Sequence, residues 1–520
     1  MSYLGKVRPT VALTSSDIED NAVTSSKIIA DAVTAAKMDD DAVGIAELSA
    51  TGTASSSTYL RGDNAWTALS EYDDSGVQDD IALLGFKVAS NGSLAKYNLV
   101  DQTVDAFEDA TGIDASTSTG EFRASDNYYS GITTSSTQTA LTTVESSTTT
   151  IPAGLVGSVN LLVVGGGGSS GEQGNACAGA GAGGLVYISN YAAVAGATYS
   201  YTIGAGGTGG TSYDSGTSGA DSIFDSGGSH QTITGKGGGF GATIAFNADV
   251  GGSGGGAANG TNKGASNQAE DFGSYTGVGF GNDGGSGGET SNKASGGGGA
   301  GSAGSGASTT GNGGSGKDYS SVFGTGVGED GWFAGGGGGG SCSTDGTQGY
   351  GNGGSGNKGG GGDGQWYTAA TSEAGMANTG GAAGGGTCDQ NGGNGGSGVI
   401  ILKYDAISAY QDMTLVSTAT TAESAPTKGD IVFTYTDGAG TAVVGTDITA
   451  DYSADDGSNW TPFSIGPSDA QGTTGGHTIV TKHNVALTSA SGTSMRYRIN
   501  TLNQSALKTT RIQAVSLGWS

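Results

Sequence analysis

The middle of this chain is a field of glycine. Of the 106 glycines, 83 fall between residues 161 and 400, in runs such as 165–168, 296–299 and 335–340, and no proline lies among them. Glycine brings no side chain to bury and loses the most backbone entropy on folding, so an ordinary apolar core cannot be assembled from it. The segment is therefore either a flexible linker or a place where backbones pack directly on one another.

Three features oppose the linker. The field is far longer than a Gly/Ser connection needs to be. It is bracketed by the apolar runs Val159-Asn160-Leu161-Leu162-Val163-Val164 and Val399-Ile400-Ile401-Leu402. Short β-rich phrases interrupt it, among them Leu185-Val186-Tyr187, Tyr199-Ser200-Tyr201-Thr202-Ile203 and Ile233-Thr234. Collagen is excluded, because there is neither a strict Gly-X-Y period nor proline. The ordered alternative is a bundle of extended left-handed helices with about three residues per turn, whose N–H and C=O groups point outward and bond laterally. The residues between glycine runs then become surface loops.

At 520 residues several domains are expected. Charged residues are sparse and the balance is −28, which opposes binding to a nucleic-acid backbone. No apolar run approaches the ~20 residues of a membrane span, and no basic-then-apolar signal peptide is visible. Cys177, Cys342 and Cys388 fit neither a disulfide framework nor a zinc site. A Cys342–Cys388 bridge is one option, but three free thiols are expected.

The N-terminal residues repeat every ten. Asn21-Ala22-Val23-Thr24-Ser25-Ser26-Lys27-Ile28 is followed by Asp31-Ala32-Val33-Thr34-Ala35-Ala36-Lys37-Met38, and then by Asp41-Ala42-Val43-Gly44-Ile45-Ala46-Glu47-Leu48. Ten matches neither a heptad nor one helical stripe. Each decad reads as a small unit that buries its apolar side only by stacking along an axis with copies from other chains. A weakly structured acidic tail is the alternative. Residues 51–58 read as a linker. Gly62-Asp63-Asn64 reads as a turn presenting Trp66, in preference to an Arg61-Gly62-Asp63 adhesion motif.

Residues 77–88 and 101–111 are expected to form short helices, and 113–150 a Ser/Thr-rich linker or extended shaft. Beyond 405 glycine falls and β-alternation appears. Ile448, Ala450 and Tyr452 alternate with Thr449 and Asp451, and Met495, Tyr497 and Ile499 alternate with Arg496 and Arg498. Further strands are expected over 413–416, 431–435, 478–487 and 511–517, with turns at Asp437-Gly438 and Asp456-Gly457. Many short strands joined by turns predict an antiparallel β-sandwich.

Several phrases meet a known family. The decads resemble the repeats of bacteriophage tail fibres, and Tyr59-Leu60-Arg61-Gly62-Asp63-Asn64-Ala65-Trp66 is similar to a phrase in the same proteins. The run Leu161-Leu162-Val163-Val164 with glycines 165–168, continued by Gly181-Ala182-Gly183-Gly184-Leu185-Val186-Tyr187, looks like the opening of the glycine-rich domain of phage receptor-binding adhesins. Gly395-Gly396-Ser397-Gly398-Val399-Ile400-Ile401 looks like its close. Gly492-Thr493-Ser494-Met495-Arg496-Tyr497-Arg498, with Leu502-Asn503-Gln504-Ser505, resembles a module at the ends of marine-phage tail fibres. Together these phrases cover most of the chain.

The resemblance implies a mainly β and extended fold in a homotrimeric fibre. A decad-repeat stalk (1–58) precedes a connector with short helices and a shaft (59–150). A polyglycine-II-like glycine-rich domain (151–404) and the C-terminal sandwich (405–520) follow. It implies an extracellular virion protein whose N-terminus meets tail or baseplate proteins. Its distal part would bind a host outer-membrane protein or surface glycan. Loops between polyglycine helices carry specificity in such adhesins. Carried over, this points to Tyr319, Phe323, Trp332, Phe333, Tyr350, Trp366 and Tyr367. Aromatic faces stack on sugar rings while Asn, Asp and Ser supply hydrogen bonds. The competing reading packs Trp332 and Trp366 over the glycine slab as local core. This chain departs from the short adhesins in continuing past the glycine field, so the identity of the tip stays open.

Catalysis is not expected, and neither is a cofactor, a metal or nucleic acid. Residues 311–317 match phosphate-loop spacing, but Asp318 replaces the Ser or Thr that would hold magnesium. Gly251-Gly252-Ser253-Gly254-Gly255 fits a nucleophile elbow only because glycine is everywhere. His230, His477 and His483 form no paired metal motif. Asp451, Asp455, Asp456 and Asn459 lack the spacing of a calcium loop. The remaining alternatives are a structural fibre shaft and a glycan depolymerase with paired carboxylates.

Overall fold

A computed structural model describes residues 14, 16, 19–32, 34, 50–68, 77, 80–81, 84–85, 96–99, 101–124, 126–173, 175–225, 230–287, 292–342, 352–353, 358–366, 372–387 and 390–520. The chain divides into two compact units, Met1–Val77 and Gln78–Ser520. In the first, the ten-residue period is conformational as well as sequential. Asn21 and Asp31 both adopt positive φ, at 63° and 64°. Ala22 N–H donates to Glu19 and Ala32 N–H to Ile29, again ten residues apart. Downstream, Thr58–Leu60 and Trp66–Ala68 pair antiparallel around the expected turn at 62–64, where Asn64 has φ 63°. Residues 51–58 are more than a linker, because Thr51 exchanges hydrogen bonds with Asn64 and Trp66. The third decad, 41–48, lies outside the described residues.

The glycine field is ordered, and its hydrogen bonds show how. Residues 177–184 form an extended rod whose partner changes with every residue and returns every third. Cys177, Ala180 and Gly183 donate to Gly386, Ala383 and Gly380. Ala178, Gly181 and Gly184 donate to Ala242, Gly239 and Lys236, while Gly179 and Ala182 donate to Ser295 and Gly298. The carbonyls of 181 and 184, of 177 and 180, and of 179 and 182 accept from three further segments, 165–168, 337–340 and 253–256. Six neighbours thus surround one rod with a three-residue period, which is the lateral bonding of a polyglycine-II bundle. A Cβ on Gly181 would lie 2.1 Å from the Ser253 oxygen, so glycine is required for approach. The few interior side chains are small. Ala176, Ala178, Ala242, Ala258, Ala294 and Cys342 share one cluster, and the buried hydroxyl of Ser295 donates to backbone carbonyls.

Both ends of the bundle hang from one sheet. Val399–Tyr410 pairs antiparallel with Leu155–Val164 on one side and Tyr129–Leu141 on the other. Its apolar run is continuous because both faces are covered. Leu161, Val163, Ile400 and Leu402 pack with Tyr199, Phe224 and Ile233, whereas Leu162, Val164, Val399 and Ile401 pack with Tyr319, Phe323 and Phe333.

The sheet continues through Tyr129 and Ser130 into Thr509–Trp519, then Lys428–Ala439, His477–Ala486 and Ala470–Thr474. Gln102–Asp105 pairs with the other side of Thr509–Trp519. A strand therefore stands where the sequence predicts a helix over 101–111. Residues 113–150, expected as a linker or shaft, instead supply the thirteen-residue strand Tyr129–Leu141. Its many threonines are β-branched, and its partner Val399–Tyr410 supplies the apolar contacts. Described residues 77, 80, 81, 84 and 85 are helical. A second antiparallel sheet, Met413–Val416, Ser494–Thr501, Ile448–Ser453 and Thr461–Pro462, shares one apolar core with the first. The alternation at 448–452 and 495–499 is observed as buried and part-exposed faces. Asp456-Gly457 is a turn, but Asp437-Gly438 lies within Lys428–Ala439, where a register shift absorbs it.

One carboxylate is sealed into this core region. Asp105 is inaccessible, accepts from Phe107 N–H and from the Tyr497 hydroxyl, and has Lys96 as its neighbouring cation. Burial raises its pKa to about 6, while burial lowers Lys96 to about 8. The folded state thus holds the Asp105 proton more tightly than the unfolded state. Its contribution to stability is present below pH ~4 and is lost as pH rises toward 6, by roughly 3 kcal/mol. Urea unfolding at stepped pH is expected to show this loss in the wild type, with a flatter profile between pH 4 and 6 in Asp105→Asn.

Candidate functional site

The aromatic residues singled out in the glycine field divide by burial. Tyr319, Phe323 and Phe333 are buried against the sheet. The short helix Ser320–Phe323 is pinned there, because Lys403 Nζ donates to the Val322 carbonyl and Gln138 Nε2 to that of Phe323. Tyr187 and Tyr319 rings lie 4.6 Å apart, and burial pushes the Tyr319 hydroxyl pKa up. Trp332 is half-buried with Lys358 Nζ 5.7 Å from its ring, and Trp366 is 39% exposed beside Ser341. Tyr350 and Tyr367 lie outside the described residues, as does Cys388. Cys342 is disulfide-bonded, which corrects the expectation of three free thiols. Cys177 is free, and burial pushes its thiol up to about 12.

A second concentration of chemistry lies apart from the residues that the sequence points to as receptor-binding. It lies on the outer face of the small C-terminal sheet. Arg498 donates from Nε to Asp451 at 3.1 Å and stacks on Trp460 at 4.5 Å. Asn500 donates to Thr449 at 3.0 Å and accepts from Thr414 at 3.0 Å. Arg496 bridges Asp456 and Asp114, and hydrogen bonds from Ser116 and then Arg496 hold the Asp114 carboxyl far below its usual range. The signal was present: the alternation that buries Met495, Tyr497 and Ile499 puts Arg496, Arg498 and Asn500 side by side on the opposite face.

Residues of the phosphate-loop, nucleophile-elbow and acidic-turn patterns have partners within the fold. Lys317 of the phosphate-loop match sits 3.6 Å above the Phe280 ring, and Asp318 accepts from Ser320 N–H. Residues 313 and 314 belong to the glycine bundle, and Ser253 is fully buried within it. Asp451 and Asp456 are paired with arginines, while Asp455 accepts from both the side chain and the backbone of Asn459. Among the described residues no group of three or more His, Cys, Asp or Glu is placed to share a metal ion.

A family model described as a glycine-rich domain matches residues 142–405, which is 264 of 520. The chain belongs to the glycine-rich domain family. The matched span opens just after Tyr129–Leu141 and closes inside Val399–Tyr410, the strand that pairs with it. No curated protein matches the chain. The glycine-rich domain therefore comprises the bundle, its two bracketing strands and the aromatic layer over them. The Arg498 face lies beyond it.

Proposed function

We propose that this chain is a bacteriophage tail fibre that mediates host recognition by multivalent, non-catalytic binding to an outer-membrane protein or surface glycan. The observation that carries the reading is the glycine bundle. Its order comes from backbone bonds, so the segments between rods are released from core duty and can display residues such as the exposed Trp366. The resemblance of the decads and of the glycine-rich borders to tail fibres supports the same reading. Val23, Ile28 and Ile29 are 59%, 46% and 78% exposed in the single chain, as decads would be before three copies close around an axis. On this reading the protein is a homotrimer in the virion tail, with its N-terminus toward tail or baseplate proteins. Its two C-terminal sheets form a sandwich. Weak contacts summed over three chains raise avidity without chemistry.

A structural shaft is the second reading. It is favoured by one observation: three of the five described receptor candidates are buried. Binding of the purified full-length chain to intact candidate host cells separates the two. Deleting 405–520 would strip strands that pair with 102–105 and 129–130, so point substitutions are the sound tool. Trp332→Ala/Trp366→Ala is expected to weaken adsorption by at least about tenfold with oligomeric state unchanged in sedimentation. A chain that adsorbs to no host, though folded, favours the shaft.

A further inference from the structure

Two cavities open on the outer face of the small C-terminal sheet. One of 130 Å³ lies against Trp460 and one of 350 Å³ against Pro462 and Ile465, and Arg498 lines both. Arg498 is 30% exposed and Asp451 13%. Among the described residues the guanidinium bonds through Nε alone, which leaves Nη1 and Nη2 for a ligand.

We infer that this groove binds a neutral, hydroxyl-rich saccharide chain. Arg498 offers its Nη donors while Asp451 and Asn500 offer acceptor oxygens, because the Asn500 amide hydrogens are taken by Thr449 and Asp451; together they complement vicinal hydroxyls. Trp460 adds an aromatic surface for the C–H face of a pyranose ring. The larger cavity falls within the range of about 300–1,000 Å³ typical of small-ligand sites. Charge argues against an anionic ligand. Arg496 and Arg498 face Asp114, Asp451 and Asp456, so no net positive field exists to hold a phosphate, sulfate or polyuronate. Shape argues against a protein partner, which would need roughly 1,200 Å² or more with an apolar centre. Both cavities are small and concave, and polar and apolar groups line them in similar measure. The inference deepens the adhesion reading, on which its biological role rests, by placing a sugar contact outside the glycine-rich domain.

The test uses the full-length chain against neutral hexasaccharides of glucose, mannose and galactose, with polygalacturonate as the anionic control, read by tryptophan fluorescence and ligand-observed NMR. At least one neutral hexasaccharide is expected to bind. Trp460→Ala and Arg498→Ala should each weaken it by at least about tenfold. Arg498→Lys keeps the charge but loses the planar fork, and should fail to restore binding although its melting curve matches the wild type. Binding of polygalacturonate alone overturns the inference. So does neutral binding that is indifferent to both positions, or no neutral binding at all. Where cells adsorb the chain, the Arg498-dependent share should vanish after periodate and survive protease; the reverse would identify a protein partner and overturn it. Adsorption that persists fully in Arg498→Ala leaves the adhesion reading standing while this site falls. Oligosaccharide binding without any cell adsorption does the opposite.

Discussion

Gly297→Ala is expected to prevent the glycine bundle from closing, at a cost of at least about 4 kcal/mol. A Cβ there would sit 1.7 Å from the Ala180 oxygen and 2.2 Å from its carbonyl carbon. That carbonyl cannot retreat, because it accepts from Gly337 N–H while Ala180 N–H donates to Ala383, and the rod is held on six sides. Side-chain clashes relax by rotation; a clash with a bonded backbone does not. Ala180→Gly, which removes a buried methyl from the facing residue, is the matched control and should cost only about 1 kcal/mol. Urea unfolding and limited proteolysis across 161–400 read the difference. A Gly297→Ala protein with wild-type stability would mean that the rods are not packed as described.

Phe333→Ala carries the second large effect, about 3–5 kcal/mol of stability. Phe333 is wholly inaccessible and packs with Leu162, Val164, Leu185 and Ile401 under the sheet. Trp366→Ala, at an exposed position, should fall within about 0.5 kcal/mol of wild type. The pair separates residues that build the domain from residues that it displays. Equal, small losses at both positions would sink the placement of Phe333 beneath the sheet.

The bracketing strands were legible because a continuous apolar run flanked by glycine has few other uses, and 160–164 does pair with 399–403. The bundle was legible from what glycine lacks. The aromatic residues misled because an aromatic amid glycine looks displayed, whereas Tyr319, Phe323 and Phe333 are drawn onto one of the two apolar faces of the bracketing sheet. The pairing of 102–105 with 515–518 joins segments some four hundred residues apart, and no local pattern encodes such a partner. Tyr129–Leu141 is rich in Ser and Thr, so its strand character comes from its neighbour more than from its own apolar pattern. The Arg498 face draws on several strands, and its alternation was read for the layer it buries rather than the one it exposes.

The bundle also sets how the protein responds to temperature. Apolar surface raises the heat capacity when it is exposed, and polar surface lowers it. Unfolding the rods would expose mostly peptide groups, while unfolding the sheets would expose aromatic and aliphatic side chains. The rods should therefore have a flatter free-energy curve than the sheets that carry them. Apolar association weakens on cooling. The part of the molecule least affected by cold is then the part with almost no side chains.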